Sequence, residues 1–191
     1  EFCKFVRRNY YNWINKRADD TPVMSHTLMR TKIFPVVDEN PKTTLLLIDN
    51  FRYDQWRTLS RDLAAQFVIE EDLYFSILPT VTQYARNAIF SGLMPLQIEK
   101  MFPDLWIDED EDEGKNLNER ELIETQLQRF RRKHTFSYNK ANDSLAADKI
   151  ATQIDQLSKN DLNVLVVNFI DILSHARTEQ KTVRELAGDV A

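Results

Sequence analysis

Two short apolar runs, Thr43–Ile48 (TTLLLI) and Leu162–Phe169 (LNVLVVNF), most constrain what this chain can fold into. Each has the length of a strand, and each leads into a polar segment holding an aspartate, Asp49 after the first and Asp171 after the second. A continuous rather than alternating apolar strand is buried on both faces, which points to a parallel sheet covered by helices. Helix-like stretches at 56–65, 83–90, 119–130 and 144–157 alternate with these runs and with a further strand at Thr135–Tyr138. The predicted fold class is therefore α/β, a sheet with helices on both faces and ligands gathered at the carboxyl ends of its strands. Phe67–Ile69 and Tyr74–Leu78 are expected as additional β segments, and Asp143-Ser144 as a helix start.

The first 40 residues have a different grammar. Phe2, Phe5, Val6, Tyr10, Trp13 and Ile14 recur among Lys4, Arg7, Arg8 and Lys16 at the spacing of an amphipathic helix, and a second short helix is expected at Ser25–Ile33. A helical segment, 1–40, thus leads into an α/β domain, 41–191. Because the sequence opens inside the amphipathic pattern, an upstream domain is expected before it.

Composition narrows the class. The chain has 191 residues, 42% of them hydrophobic and 29% charged, enough for one domain with a buried core. No apolar run approaches the roughly 20 residues a membrane helix needs, and no signal-peptide pattern is visible. The lone cysteine, Cys3, cannot form an internal disulfide, so a cytoplasmic location is expected. A net charge of −5 argues against wholesale electrostatic binding of nucleic acid.

Three constellations carry chemistry. Asp49, at the end of a rigid strand, is either a turn or N-cap aspartate or a hard oxygen ligand for a dication. The second is Pro79–Gly92 (PTVTQYARNAIFSG). A helix beginning near Gln83 would put Thr82 at its N-cap, where its hydroxyl either satisfies an orphan N–H or, activated by a neighbouring metal, attacks phosphorus. Gly92 would end this helix in the left-handed conformation, and Arg86 would reach a substrate oxygen or pair with a surface acid. The third is Asp171–His175 (DILSH), whose carboxylate and imidazole, four apart on a helix, share a face and can grip one metal. Its alternative is a capping aspartate and an unrelated histidine. The acidic run at 108–113 fails as a calcium loop, because Gly114 falls one place late for the sharp turn. It is expected to be a solvated loop.

Together, LLLIDNFRYDQW (Leu45–Trp56), LPTVTQYARNAIFSGLMP (Leu78–Pro95) and VNFIDILSHARTE (Val167–Glu179) resemble the PglZ family of the alkaline phosphatase superfamily. More narrowly, with PVMSHTLMRTKIFP (Pro22–Pro35), they resemble the output domains of PorX-type bacterial response regulators. The resemblance implies an alkaline phosphatase-like sheet and a two-zinc phosphate-ester hydrolase. Its nucleophile lies ten residues before the glycine of a Ser/Thr-Gly pair, which selects Thr82 over Thr80. It further implies that Asp49 and Thr82 serve one zinc and Asp171 and His175 the other. The family pattern continues with an Asp-His pair after a later strand and then another histidine, which nothing beyond His175 supplies; His26 and His134 lie upstream. This stretch is thus expected to be the N-terminal part of the domain, with an incomplete zinc site, weak metal retention and little hydrolysis by itself.

The expected substrate is a phosphate ester, a diester and nucleotide-like, with a receiver domain governing the full-length protein. The competing expectation is a catalytically silent docking or homodimerisation module, which would use the apolar face of the N-terminal helix.

Overall fold

The computed structural model describes residues 1–15, 20–107, 116–157, 159–168, 170–172 and 174. His175, Gly114 and the acidic run at 108–113 lie outside the described residues. In chain order the elements begin with α1 (Phe2–Ile14), α2 (Ser25–Leu28), a π-helical turn (Met29–Ile33), α3 (Phe34–Glu39), β1 (Thr43–Ile48) and α4 (Tyr53–Leu63). Then come α5 (Thr82–Ser91), α6 (Pro95–Met101), a 3-10 turn (Pro103–Leu105) and α7 (Glu119–Arg129). Next come β2 (Phe136–Ala141), α8 (Ser144–Thr152), α9 (Ile154–Leu157) and β3 (Leu162–Val167). Among the described residues no helix is long and apolar enough to cross a membrane.

The chain divides into two compact units. The first comprises Glu1–Lys32 and Asp72–Phe130. Its core gathers Trp13, Met24, Ile77 and Ala88, with Tyr10, Ile14, Phe75 and Tyr84 packed against them. The amphipathic spacing of α1 explains its place there: Trp13 is buried, its ring centroid 5.0 Å from that of Phe75, while the Leu78 N–H donates to the Tyr10 hydroxyl at 2.7 Å. Tyr74–Leu78 does not form the expected strand. It makes one parallel bridge, Met24 to Phe75, with the Phe75 N–H donating to the Val23 carbonyl at 2.8 Å.

The second unit comprises Ile33–Glu71 and the chain from Arg131 onward. Here, among the described residues, three strands pair in the order β1-β3-β2, all parallel, with Thr43 opposite Leu162 and Phe136 opposite Leu162. The run at 162 is therefore the central strand, as its apolarity predicts. Side chains alternate across a strand, so Leu162, Val164 and Val166 share one face, and all three are buried. On the other face Ile150 of α8 and Ile154 of α9 line a small cavity with Thr44, Asn163 and Leu165, while Leu46 keeps 51% exposure. Asn163, a polar residue in the central strand, is satisfied there: its Oδ1 accepts from the Ser137 hydroxyl at 3.0 Å and its Nδ2 donates to the Asn160 carbonyl at 2.9 Å. Asp143 caps α8 as expected, accepting the Ala146 N–H at 2.7 Å. The expected boundary near residue 40 falls inside this unit, between α3 and β1.

Phe67–Ile69 is not a strand either. Val68 is 96% exposed, and no ladder partner meets this segment among the described residues. The helix expected to stop at Ile33 instead passes through the π-helical turn into α3. Pro35 supplies no N–H to the helical ladder, and it stands in the first turn of α3, directly after the widened turn.

Candidate active site

Asp49 follows β1 by one residue, and its backbone continues the sheet, the N–H donating to the Val167 carbonyl of β3 at 2.9 Å. Asn50 then adopts a left-handed φ of 54° and donates its N–H to Asp49 Oδ1 at 3.0 Å. An asparagine tolerates that conformation, so the chain can turn sharply and leave the strand end. Arg52, not Asp49, is the N-cap residue of α4, its N–H donating to Gln55 Oε1 at 2.9 Å. The turn role of Asp49 is thus real, and the helix-cap role is not. Beyond the loop, Arg52 grips Asp54 through two contacts of 2.9 and 2.7 Å, and this hydrogen-bonded cation pulls the Asp54 carboxyl down to about 2.

Asp171 stands past the end of β3. The Asn168 N–H donates to the Ala141 carbonyl at 2.9 Å and prolongs the β2–β3 pairing. The Ile172 N–H then donates to the Asn168 carbonyl at 3.0 Å, closing a helical turn that contains Asp171. Ile48 and Val167 are partners in register, so Asp49 and Asp171 leave the same carboxyl edge of two neighbouring parallel strands. Both are half-buried. Their hard oxygens are the donor type a zinc or comparable dication accepts. Among the described residues no three His, Cys, Asp or Glu side chains converge as a metal-binding group; His175, the expected partner of Asp171, is outside them.

Thr82 belongs to the first unit, and Asp49 and Asp171 to the second. It is not the N-cap of α5: Val81, extended at φ −62° and ψ 136°, takes that position, and Thr82 is the first helical residue. The Val81 carbonyl already accepts from the Tyr84 N–H at 3.0 Å and the Ala85 N–H at 2.9 Å. A cap hydroxyl is therefore not what starts the helix; Thr82 is half-buried and belongs to the first turn, whose first N–H groups have no partner within the helix. Two contacts steady that turn. Tyr84 stacks on Trp106 with centroids 5.9 Å apart and planes 1° from parallel, and Gln83 Nε2 donates to the Ile107 carbonyl. Thr80 is exposed and lies outside the helix.

Gly92 ends α5 at φ 66° and ψ 27°, its N–H donating to the Ala88 carbonyl at 2.9 Å, so the expected left-handed stop is present. Arg86, read from the sequence as a substrate contact or a surface pair, is buried at 4% exposure, with Glu119 of α7 at 0%. Its Nε donates to Glu119 Oε1 and its Nη2 to Glu119 Oε2, both at 2.7 Å. Nothing local signals this pair: Glu119 looks like any acid in the first turn of a polar helix. His134 pairs with Asp38 through Nε2 at 2.9 Å, and Arg132 also contacts Asp38.

The second unit is thus a parallel sheet with helices, with Asp49 and Asp171 following two of its neighbouring strands, an α/β arrangement consistent with an alkaline phosphatase-like domain. A family model described as the BREX system PglZ alkaline phosphatase-like domain matches residues 28–191, and the chain belongs to that family. Comparison with curated proteins finds no match.

Proposed function

We propose that this chain carries the nucleophile and part of the metal site of a zinc-dependent phosphate-ester hydrolase. The observation that carries the reading is the pair Asp49 and Asp171 at one carboxyl edge of the sheet, in a chain of an alkaline phosphatase-like family. By the family resemblance of their segments, Asp49 and Asp171 would supply carboxylate oxygens to the dications, and Thr82 and His175 would be the other ligand positions this stretch offers. A bound dication supplies the positive charge that lowers the pKa of a hydroxyl and offsets phosphoryl charge.

Thr82 Oγ1 attacks phosphorus in line with the leaving group; the phosphorus–oxygen bond of the ester breaks, and the departing oxygen leaves as the alcohol with the proton that Thr82 gives up. Water then displaces the threonine oxygen and returns its proton. The N–H groups at the start of α5 face the developing negative charge. Arg86 acts at one remove, its pair with Glu119 holding α5 and therefore Thr82. A phosphodiester is the favoured substrate class. The similarity of the Asp49, Thr82 and Asp171 segments to response-regulator output domains supports a receiver-governed hydrolase in the full-length protein.

In that protein, Thr82→Ala is expected to abolish turnover of a generic phosphodiester while zinc remains bound. Retained turnover would remove Thr82 from the mechanism. A docking or dimerisation module is the second reading, favoured by Phe2, Phe5 and Tyr11 of α1, all exposed. It predicts a full-length protein with no bound zinc and no turnover.

A further inference from the structure

At the far end of α5 from Thr82, the first unit encloses a cavity of about 230 Å³ lined by His26, Thr27, Arg30, Gly92, Gln97 and Arg129, among others. Among the described residues no carboxylate lines it. Arg30 and Arg129 approach the same aromatic ring, with their guanidinium carbons 6.0 and 5.8 Å from the Phe130 centroid. Neither arginine makes an ion pair among the described residues.

Two cations gathered on one ring repel each other, and burial adds to the cost for Arg129. Its Nε is buried with no hydrogen-bond partner, and desolvation lowers its pKa. Arg129 has a structural duty, since its Nη2 donates to the Ser91 carbonyl at the end of α5. Arg30 has none. It is exposed and lies in the π-helical turn, a local widening of the kind that often marks functional positions.

We propose that this cleft is a binding site for a phosphate-type oxyanion, separate from the catalytic end of α5. The separation of ten residues from Thr82 to Gly92 places the two ends about 15 Å apart at 1.5 Å per residue. A tetrahedral oxyanion between Arg30 and Arg129 neutralises both cations and accepts several N–H donors at once. The cavity admits free orthophosphate or the phosphate of a small monoester.

The test uses the full-length protein stripped of metal by a chelator, so that phosphate cannot be held at a metal site. Orthophosphate and phenyl phosphate are titrated calorimetrically into wild type, Arg30→Gln and Thr82→Ala. Expected is one site per chain, weakened at least ten-fold by Arg30→Gln and unchanged by Thr82→Ala. Equal affinity for the two ligands marks free phosphate as the ligand, and tighter phenyl phosphate marks a monoester; both support the site. Arg30→Gln is exposed and away from the core, so a native circular dichroism spectrum and thermal transition separate lost binding from lost folding. Wild-type affinity in folded Arg30→Gln, loss of binding in Thr82→Ala, or no binding in wild type would each overturn the proposal.

Discussion

Arg86 of α5 and Glu119 of α7 form a two-point ion pair with almost no exposure to solvent, Nε to Oε1 and Nη2 to Oε2 both at 2.7 Å. Burying one of these charges alone is very unfavourable, so each holds the other in place. Glu119→Gln is expected to lower unfolding free energy by about 3–5 kcal/mol, the usual range for breaking a buried pair. The double change Arg86→Met with Glu119→Leu should recover most of that, because it leaves no unpaired charge. Urea unfolding of wild type and the two variants is the check. A Glu119→Gln effect under about 1 kcal/mol would mean the pair is solvated rather than buried.

Gly92 is constrained twice. Its φ of 66° is strained for any residue with a Cβ, and a Cβ there would lie 2.2 Å from Nε2 of Gln126, whose side chain is fully buried. Gly92→Ala should therefore destabilise by roughly 1–3 kcal/mol through overpacking and backbone strain combined. Adding Gln126→Ala removes the clash but not the strain, so the double variant should fall between wild type and the sum of the two single changes in thermal unfolding.

These two constraints show what a local reading of the sequence can and cannot see. Gly92 was legible because a glycine closing a short helical pattern has few other uses. The Arg86–Glu119 pair was not, because its members lie 33 residues apart and only folding brings them together. β1 was legible to the residue, being an apolar run with sharp polar ends. Phe67–Ile69 and Tyr74–Leu78 have the same apolar character, yet a strand also needs a neighbour to pair with, which no local window reveals. Thr82 was misplaced by one position because threonine is a better N-cap than valine by propensity, whereas here the extended Val81 takes the cap and its carbonyl receives the first helical bonds. For the candidate site, the order of strand and aspartate was readable for both Asp49 and Asp171. Their meeting at one edge required the strand order β1-β3-β2.

Acid stability reports on the loop after Asp49. The Arg52 contact lowers the Asp54 pKa from 3.8 to about 2. A carboxyl with a depressed folded-state pKa contributes stability that is present above its ordinary value and lost as pH falls through the folded value. The midpoint of thermal unfolding should thus drop between about pH 4 and pH 2, and Arg52→Gln should flatten part of that drop. The change should be small, since Asp54 and Arg52 are both exposed. An unaltered acid slope in Arg52→Gln would show that the pair does not persist in solution.

Asp49→Asn and Asp171→Asn replace a carboxylate by an isosteric amide at the carboxyl edge of the sheet. In the full-length protein each is expected to reduce bound zinc, measured by elemental analysis after gel filtration, with circular dichroism unchanged. Loss of fold in Asp49→Asn with zinc retained would assign Asp49 to the turn with Asn50 alone.

The most direct measurement on the central claim is the location of phosphorus during turnover. The full-length enzyme, mixed with excess substrate and quenched in acid, is digested and its peptides sequenced by mass spectrometry. A substrate-derived phosphoryl ester on Thr82, still carrying the remaining alcohol when the substrate is a diester, absent from Thr80 and absent when substrate is omitted, is the predicted result. Turnover with no covalent adduct, or with the adduct on another side chain, would contradict it.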